Sequence, residues 1–263
     1  MVKGFQVWKK ATIVAMFGGF FSTVYTIDAN SLQEANDGSF YFLKRGMSAY
    51  KNGQINQAIS ALRCAAKRGH IGANWKLGSI YANGDGVPRD DYKAYHFFAY
   101  IVKKGADLGS KDESYVSDAL VNLAGYIKKG IPQSPVKSNP SYAARLYMQA
   151  AVNYGNPKAQ YHLGKIFLKG EGREKNLIQA ARWFQLSAKK GNPSAQAMLG
   201  NMLLQEGEII RGTAMLTAAY EKANVKDRNW IRPLKEQAFS ICNEFERRTA
   251  ISLVADILKY KNF

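Results

Sequence analysis

Cysteine and histidine are the scarcest chemically versatile side chains in this chain of 263 residues, with two and three copies. Cys64 and Cys242 are too few for a disulfide framework and show no zinc-ligand spacing. His70, His96 and His162 lie far apart, in three different sequence units, so no histidine cluster is expected. Proline is sparse at seven residues, and with 23 glycines it does not reach the share of a collagen-like or low-complexity chain. Beyond the first stretch of the chain no apolar run approaches the roughly 20 residues that span a bilayer. Zinc-finger spacing, aromatic-flanked basic strand motifs and long basic runs are all missing, so nucleic acid is not an expected partner. The glycine pairs Gly84/Gly86 and Gly170/Gly172 lack the strand-to-helix context of a nucleotide loop. The carboxylates of Asp90 and Asp91 sit where a helix is expected to begin, and there they meet exposed amides and the positive helix end. The expectation is a non-enzyme with no catalytic residue, cofactor, metal or small-molecule substrate.

Positive charge is abundant. Lys and Arg total 37 against 20 Asp and Glu, giving a formal charge of +17 and a pI near 9.7. Such a surface attracts an acidic protein face, anionic lipid or a polyanionic glycan, and the sign alone does not choose among them. A merely solvated basic surface is the plain alternative.

The first 29 residues read as a targeting segment. Lys3, Lys9 and Lys10 precede an apolar stretch from Ala11 to Tyr25, and Ala29 offers a small residue for cleavage. Cleavage after Ala29 and export to the periplasm are expected. An uncleaved anchor is the alternative, since Asp28 beside the cut is unfavourable. Cleavage leaves 34 basic against 19 acidic residues, a formal +15.

An internal repeat organises the rest. Its first element is Ala, then Leu four later, a small residue next, a bulky apolar at plus eight and often Gly at plus eleven. Copies are Ala73-Leu77-Gly78-Tyr81-Gly84, Ala119-Leu123-Ala124-Ile127-Gly130, Ala159-Leu163-Gly164-Phe167-Gly170 and Ala195-Leu199-Gly200-Leu203. A second element follows each copy, as Ala94-Phe98-Ile101-Val102-Gly105, Ala144-Met148-Ala151-Val152-Gly155, Ala180-Phe184-Ser187-Ala188-Gly191 and Gly212-Leu216-Ala219-Tyr220-Ala223. An earlier, less regular unit ends in Ala58-Leu62-Ala65-Ala66-Gly69. The spacing from Gly69 to Gly105, and again from Gly155 to Gly191, is 36 residues. Gly105 to Gly155 is longer, with extra residues around Asp107–Asp118 and in the Pro-rich loop after Gly130.

Both elements have helical period and expose one apolar stripe, which must be buried on a neighbour. The small residue at plus five lets a partner helix come close. The expected architecture is all-α: a right-handed αα-hairpin solenoid of about five units over residues 30–223. Two further helices, Trp230 to Phe245 and Arg247 to Tyr260, are expected to cap the open end within 224–263. In such a stack Cys64 and Cys242 are far apart, so both are expected to be separate, largely buried thiols.

First helices of successive units usually line the concave face of a solenoid. The side opposite their apolar stripe carries Lys76, Ser79, Asn122, Lys129, His162, Lys165, Lys169 and Asn201, with Trp75 and Tyr161 flanking it. Trp75, Lys76, Ser79, Asn122, Tyr161, His162, Lys165, Lys169 and Asn201 are the expected partner-binding residues, suited to an acidic peptide or domain. With an ordinary pKa near ~6.5, His162 would gain charge in mild acid and loosen partner binding or the stack itself.

The segments Tyr-Ala-Asn-Gly-Asp-Gly-Val-Pro at 81–88 and Leu-Lys-Gly-Glu-Gly at 168–172 resemble the Sel1-like repeat, a relative of the tetratricopeptide repeat with a longer Gly-containing turn. Four further segments extend the likeness: 124–137, Asn-Tyr-Gly-Asn-Pro-Lys-Ala-Gln-Tyr at 153–161, Asn-Trp-Ile-Arg-Pro at 229–233 and Arg-Arg-Thr-Ala-Ile-Ser-Leu at 247–253. With these the chain is similar to the exopolysaccharide-production negative regulators of α-proteobacteria, the ExoR family. That resemblance implies a periplasmic repressor that binds the sensing domain of a membrane histidine kinase and holds its phosphorelay off. Polysaccharide production and motility would change downstream. It further implies membrane contact only through the partner, and self-association is also compatible with the fold. The rival expectation is an envelope scaffold whose basic surface holds polysaccharide or peptidoglycan.

Overall fold

The computed structural model describes residues 29–107 and 109–260, with side chains from 38 to 259 except at 108. The targeting segment expected over the first 28 residues lies outside the described residues. Every regular element among the described residues is an α-helix. The chain forms two compact units, the first ending at Tyr100 and the second beginning at Ile101.

The first unit holds α1 (Ala29–Lys51), α2 (Ile55–Lys67), α3 (Ile71–Asn83) and most of α4 (Asp91–Lys104). Its core joins Ile59, Leu62 and Ala65 of α2 to Ala73, Leu77 and Ile80 of α3, with Phe42, Leu43 and Met47 of α1 packed against them. The side chain of Asp90 caps α4 by accepting from the Lys93 amide at 2.8 Å, as the Asp90/Asp91 pair suggested. Cys64 is half-buried in this unit rather than hidden, and both thiols are free. The deviation at Cys64 arises because its side of α2 faces a surface cleft.

The second unit stacks three hairpins: α5 (Glu113–Lys129) with α6 (Pro140–Asn153), α7 (Pro157–Lys169) with α8 (Leu177–Lys189), and α9 (Pro193–Gln205) with α10 (Ile209–Lys222). Part of the insertion around Asp107–Asp118 becomes an added N-terminal turn of α5, which starts at Glu113 and runs for 17 residues. Three helices begin with Asn followed by Pro. The side chains of Asn139, Asn156 and Asn192 accept from amides of the first turn, while proline occupies the position that has no intrahelical amide bond to lose. Asn156 also donates from Nδ2 to the Ser117 hydroxyl at 2.8 Å, a buried bond that ties the start of α7 to α5.

The small residue at plus five does what the repeat pattern anticipates. A Cβ at Gly164 of α7 would lie 2.5 Å from the Phe184 ring of α8, and one at Gly78 of α3 would lie 2.9 Å from Phe98 of α4. At Gly200 of α9 a Cβ would meet the Gly212 carbonyl oxygen of α10 at 3.0 Å. These three hairpins are thus closed by a bare backbone against a bulky side chain or a second backbone.

Two helices finish the stack. α11 (Val225–Ile241) starts five residues earlier than the periodicity suggested, capped by Asn224, and α12 (Glu244–Tyr260) follows after a break at Cys242 and Asn243. Ile231 and Ala238 of α11 bury against Ala197 of α9 and Leu216 and Ala219 of α10. Ala250, Val254 and Ile257 of α12 cover Ala214, Met215 and Ala218 on another side of α10. The last repeat's apolar surface is therefore covered twice, as a terminal repeat requires.

Candidate protein-binding face

In the second unit, the ends of α5 and α7 bring Lys128, Lys165 and Lys169 around one carboxylate, with Lys129 close to Lys165. Lys128 and Lys129 finish α5, and Lys165 and Lys169 lie one turn apart on α7. Glu171, in the loop that follows α7, takes an ion pair from Lys128 at 2.5 Å and a looser one from Lys169 at 3.8 Å. The Lys128 hydrogen bond, with Coulombic help from Lys169 and Lys165, holds the Glu171 carboxyl below the usual range. Lys165 is half-buried, and its ammonium lies 5.5 Å from the centre of the Tyr161 ring. Burial and then the neighbouring Lys128 and Lys169 push its pKa down, which records an excess of like charge. A carboxylate arriving from outside would relieve that repulsion.

His162 departs from expectation. It sits on the same side of α7, but its ring stacks on that of Tyr147 from α6, with centroids 4.6 Å apart and planes 24° apart. Tyr147 is fully buried, and burial pushes its phenol far up. The His162 imidazole is pushed down to about 4, first by burial and then by Lys165, Lys128, Lys129 and Lys158. It is therefore neutral near pH ~6.5 and is no sensor of mild acid. Unfolded, it would bind a proton near pH ~6.5, so between there and about 4 the unfolded chain holds more protons. Stability is fully present above that window and falls as pH drops through it, by roughly 2–3 kcal/mol from this group. A His162→Phe protein is expected to lose that part of the slope. Melting temperatures at pH ~7, ~5.5 and ~4.5 test this, and parallel slopes for the two proteins would count against it.

The other expected residues divide between the two units. Tyr161 is half-buried beside Phe184, with ring centroids 6.0 Å apart, and its phenol is raised by burial and then by Asp227 of α11. Asn122 is exposed on α5 and donates to the Asp118 carbonyl at 2.8 Å, and Asn201 is half-buried on α9. In the first unit Trp75, Lys76 and Ser79 are all half-buried. The Lys76 ammonium lies 3.2 Å from the Tyr50 ring centre, and the Tyr50 hydroxyl donates to Asp85 at 2.9 Å. Lys76 thus fastens α3 to α1, a structural task that helical periodicity does not reveal.

Sequence reasoning passed over Lys128 and Glu171. Their signals were a Lys-Lys pair ending α5 and the single acid inside the Gly-x-Gly turn at 170–172. It also passed over a second basic array, where Tyr220 of α10 receives Lys235 at 4.3 Å, Arg228 at 5.5 Å and Arg232 at 5.8 Å, all from α11. The Arg232 guanidinium donates to the Tyr220 hydroxyl at 3.0 Å. Both arrays combine cations with aromatic faces, a composition suited to a protein interface with an acidic partner.

Comparison with known proteins agrees with this fold. The Sel1 repeat model matches residues 71–110, 117–151, 157–192 and 193–213. Over 216 residues the chain is 44% identical to a protein of Rhizobium leguminosarum bv. viciae named exopolysaccharide production negative regulator, covering 82% of this chain and 81% of that one. A protein of the same name from Rhizobium meliloti strain 1021 is 43% identical over the same length and coverage. Among solved structures, a protective antigen of uropathogenic Escherichia coli with an SLR fold superposes with a TM-score of 0.67 at 22% identity. It covers 87% of this chain, which spans about half, 48%, of that antigen, so the likeness is one of fold. A Sel1 repeat protein of Oxalobacter formigenes superposes with a TM-score of 0.54 at 25% identity, over 77% of this chain and 58% of the other. Hairpin repeats closed by glycine, covered by two terminal helices and matched to these rhizobial proteins over four-fifths of their length, place the chain in the Sel1-repeat family of exopolysaccharide-production negative regulators.

Proposed function

We propose that this chain is a periplasmic negative regulator that binds the sensing domain of a membrane histidine kinase and holds its signalling off. In this reading it limits exopolysaccharide production, as the names of its relatives state for them, and influences motility. Its mechanism is occupancy rather than chemistry: the solenoid holds an acidic surface of the kinase and so favours the silent state of the sensor. The observation that carries the reading is the cluster of Lys128, Lys165 and Lys169 around Glu171, with Lys129 beside it, on α5 and α7. Those groups repel one another in the isolated chain, and an acidic partner surface converts that repulsion into attraction. Trp75, Tyr161, Asn122 and Asn201 are assigned to the same kind of contact. Export follows from the Lys3-Lys9-Lys10 start and the apolar stretch to Tyr25, with cleavage after Ala29.

The test is recovery of envelope proteins on the tagged, exported chain, followed by affinity measurement for the recovered sensor domain. Changing Lys165 and Lys169 together to Glu is expected to weaken binding by at least about tenfold, mostly through faster dissociation. Undiminished affinity would remove these lysines from the interface. Recovery of only glycan or peptidoglycan, lost steeply as salt rises, would replace the regulator reading with the envelope-scaffold one.

A further inference from the structure

The first unit carries a cleft with a composition of its own. It has a volume of about 880 Å3 and lies between the second helices α2 and α4, over the turn that follows α3. That volume lies within the roughly 300–1,000 Å3 of ligand-binding clefts. Its apolar lining is Ile59, Tyr81, Val87 and Phe97, with the Tyr81 and Phe97 rings stacked at 5.9 Å and 5°. Along one wall, Asn56, Ser60, Arg63 and Lys67 form an exposed stripe of α2 at helical spacing. The other wall presents Lys93 and His96 of α4.

The charges are arranged for an anion beside an apolar group. The Arg63 guanidinium donates one hydrogen bond to the Tyr81 hydroxyl at 2.7 Å, which holds it at the edge of the apolar lining and leaves its other N–H donors for a ligand. The Lys93 ammonium lies 5.5 Å from the Tyr81 ring centre and pairs with Asp90 at 2.8 Å. That pair is largely solvated, so an incoming carboxylate displaces it at little cost. No carboxylate stands among the residues that line the cleft.

We propose that this cleft is a second docking site, and that it takes a short acidic peptide segment of a partner protein with an apolar anchor of one or two side chains. The anchor lies on Tyr81, Val87 and Phe97 while its acidic neighbours meet Arg63, Lys67 and Lys93. A glycan fits less well. Sugar hydroxyls both donate and accept, and beside its cations this lining offers them only Asn56, Ser60, His96 and the Tyr81 hydroxyl on a predominantly apolar surface.

Cys64 lines the same cleft, half-exposed, while Cys242 is buried, so alkylation of Cys64 reports on occupancy in the unaltered chain. The probe is a fluorescein-labelled peptide of sequence Gly-Glu-Glu-Leu-Phe-Glu-Glu-Gly. It is expected to bind and to slow the reaction of Cys64 with N-ethylmaleimide. Lys67→Glu and Arg63→Glu are each expected to weaken it about tenfold. Lys67 is exposed, so its replacement leaves folding intact, whereas Arg63 also holds Tyr81. Replacing Leu-Phe by Ser-Ser in the peptide is expected to weaken binding as much. Equal affinity for the Ser-Ser peptide would reduce the cleft to a charged surface and overturn the proposal. So would unchanged affinity in the Lys67→Glu protein, or unchanged Cys64 reactivity at saturating peptide. Protection of Cys64 by oligogalacturonate at lower concentration than the peptide would overturn it in favour of an acidic glycan.

Discussion

Phe184→Ala is expected to remove about 3–5 kcal/mol of stability, the range for emptying a fully buried aromatic site. Phe184 has no exposed surface. Its ring lies against the bare backbone at Gly164, so α7 and α8 approach most closely where a Cβ would collide with this side chain. It also belongs to a cluster with Ala180, Ala188 and Ala195, flanked by Tyr161, Phe167 and Met198, and so reaches from the second hairpin to α9. In a stack each hairpin is stabilised by its immediate neighbours, and the loss spreads along the array. Melting followed by circular dichroism should show a transition at much lower temperature, broadened as the hairpins on either side of α8 uncouple. A cost below about 1 kcal/mol would mean that this contact is dispensable. The same variant should weaken partner capture, because Tyr161 rests on Phe184 and Lys165 sits by the Tyr161 ring.

The second large effect is expected at Gly172. Its backbone lies at φ +80°, where a side chain is strained by about 1–2 kcal/mol. A Cβ there would also lie 2.5 Å from the Pro140 carbonyl carbon and 2.6 Å from its oxygen, at the first residue of α6. Backbone cannot swing aside as a side chain can, so a packing penalty of about 1–3 kcal/mol is added. Gly172→Ala is therefore expected to cost about 2–5 kcal/mol in all. Gly191→Ala is the control, since Gly191 has φ +85° but nothing within 4 Å of the added carbon. Urea unfolding of the two variants separates strain from collision, and equal midpoints would show that the close approach carries no energy. Gly172 also adjoins Glu171, the anchor of Lys128, so the damaged turn should lower partner affinity as well as stability.

Much of this was written in the chain. The repeat positions located the helices, because a period of about 3.6 residues is imposed by backbone geometry and read directly from apolar spacing. Glycine at plus five announced the close approach of paired helices, whereas the Asn-Pro pairs that begin α6, α7 and α9 came to light only in the structure. The end of the repeat pattern after Ala223 announced the covering helices, although α11 starts earlier than its apolar residues suggested. That early turn is set by the Asn224 cap and carries little apolar signal.

The site was legible only in part. Periodicity assigns a residue to a side of its own helix and says nothing of what a neighbouring helix lays against that side. His162 and Lys165 occupy the same side of α7, yet Tyr147 of α6 covers one ring and leaves the other residue beside Tyr161. Lys76 occupies the equivalent position to His162 in an earlier repeat, and Tyr50 of α1 takes its charge.

The sequence by itself thus determined the helices, their hairpin pairing, the close contacts at glycine, the covered end and the excess of positive charge, because each follows from local periodicity, backbone chemistry or composition. The tertiary structure alone decided which lysines gather around Glu171, that His162 is held neutral to about pH 4, and that Arg63, Lys93 and Tyr81 share one cleft. Those are meetings of side chains distant in sequence, and desolvation and Coulombic coupling depend on distances that only packing sets.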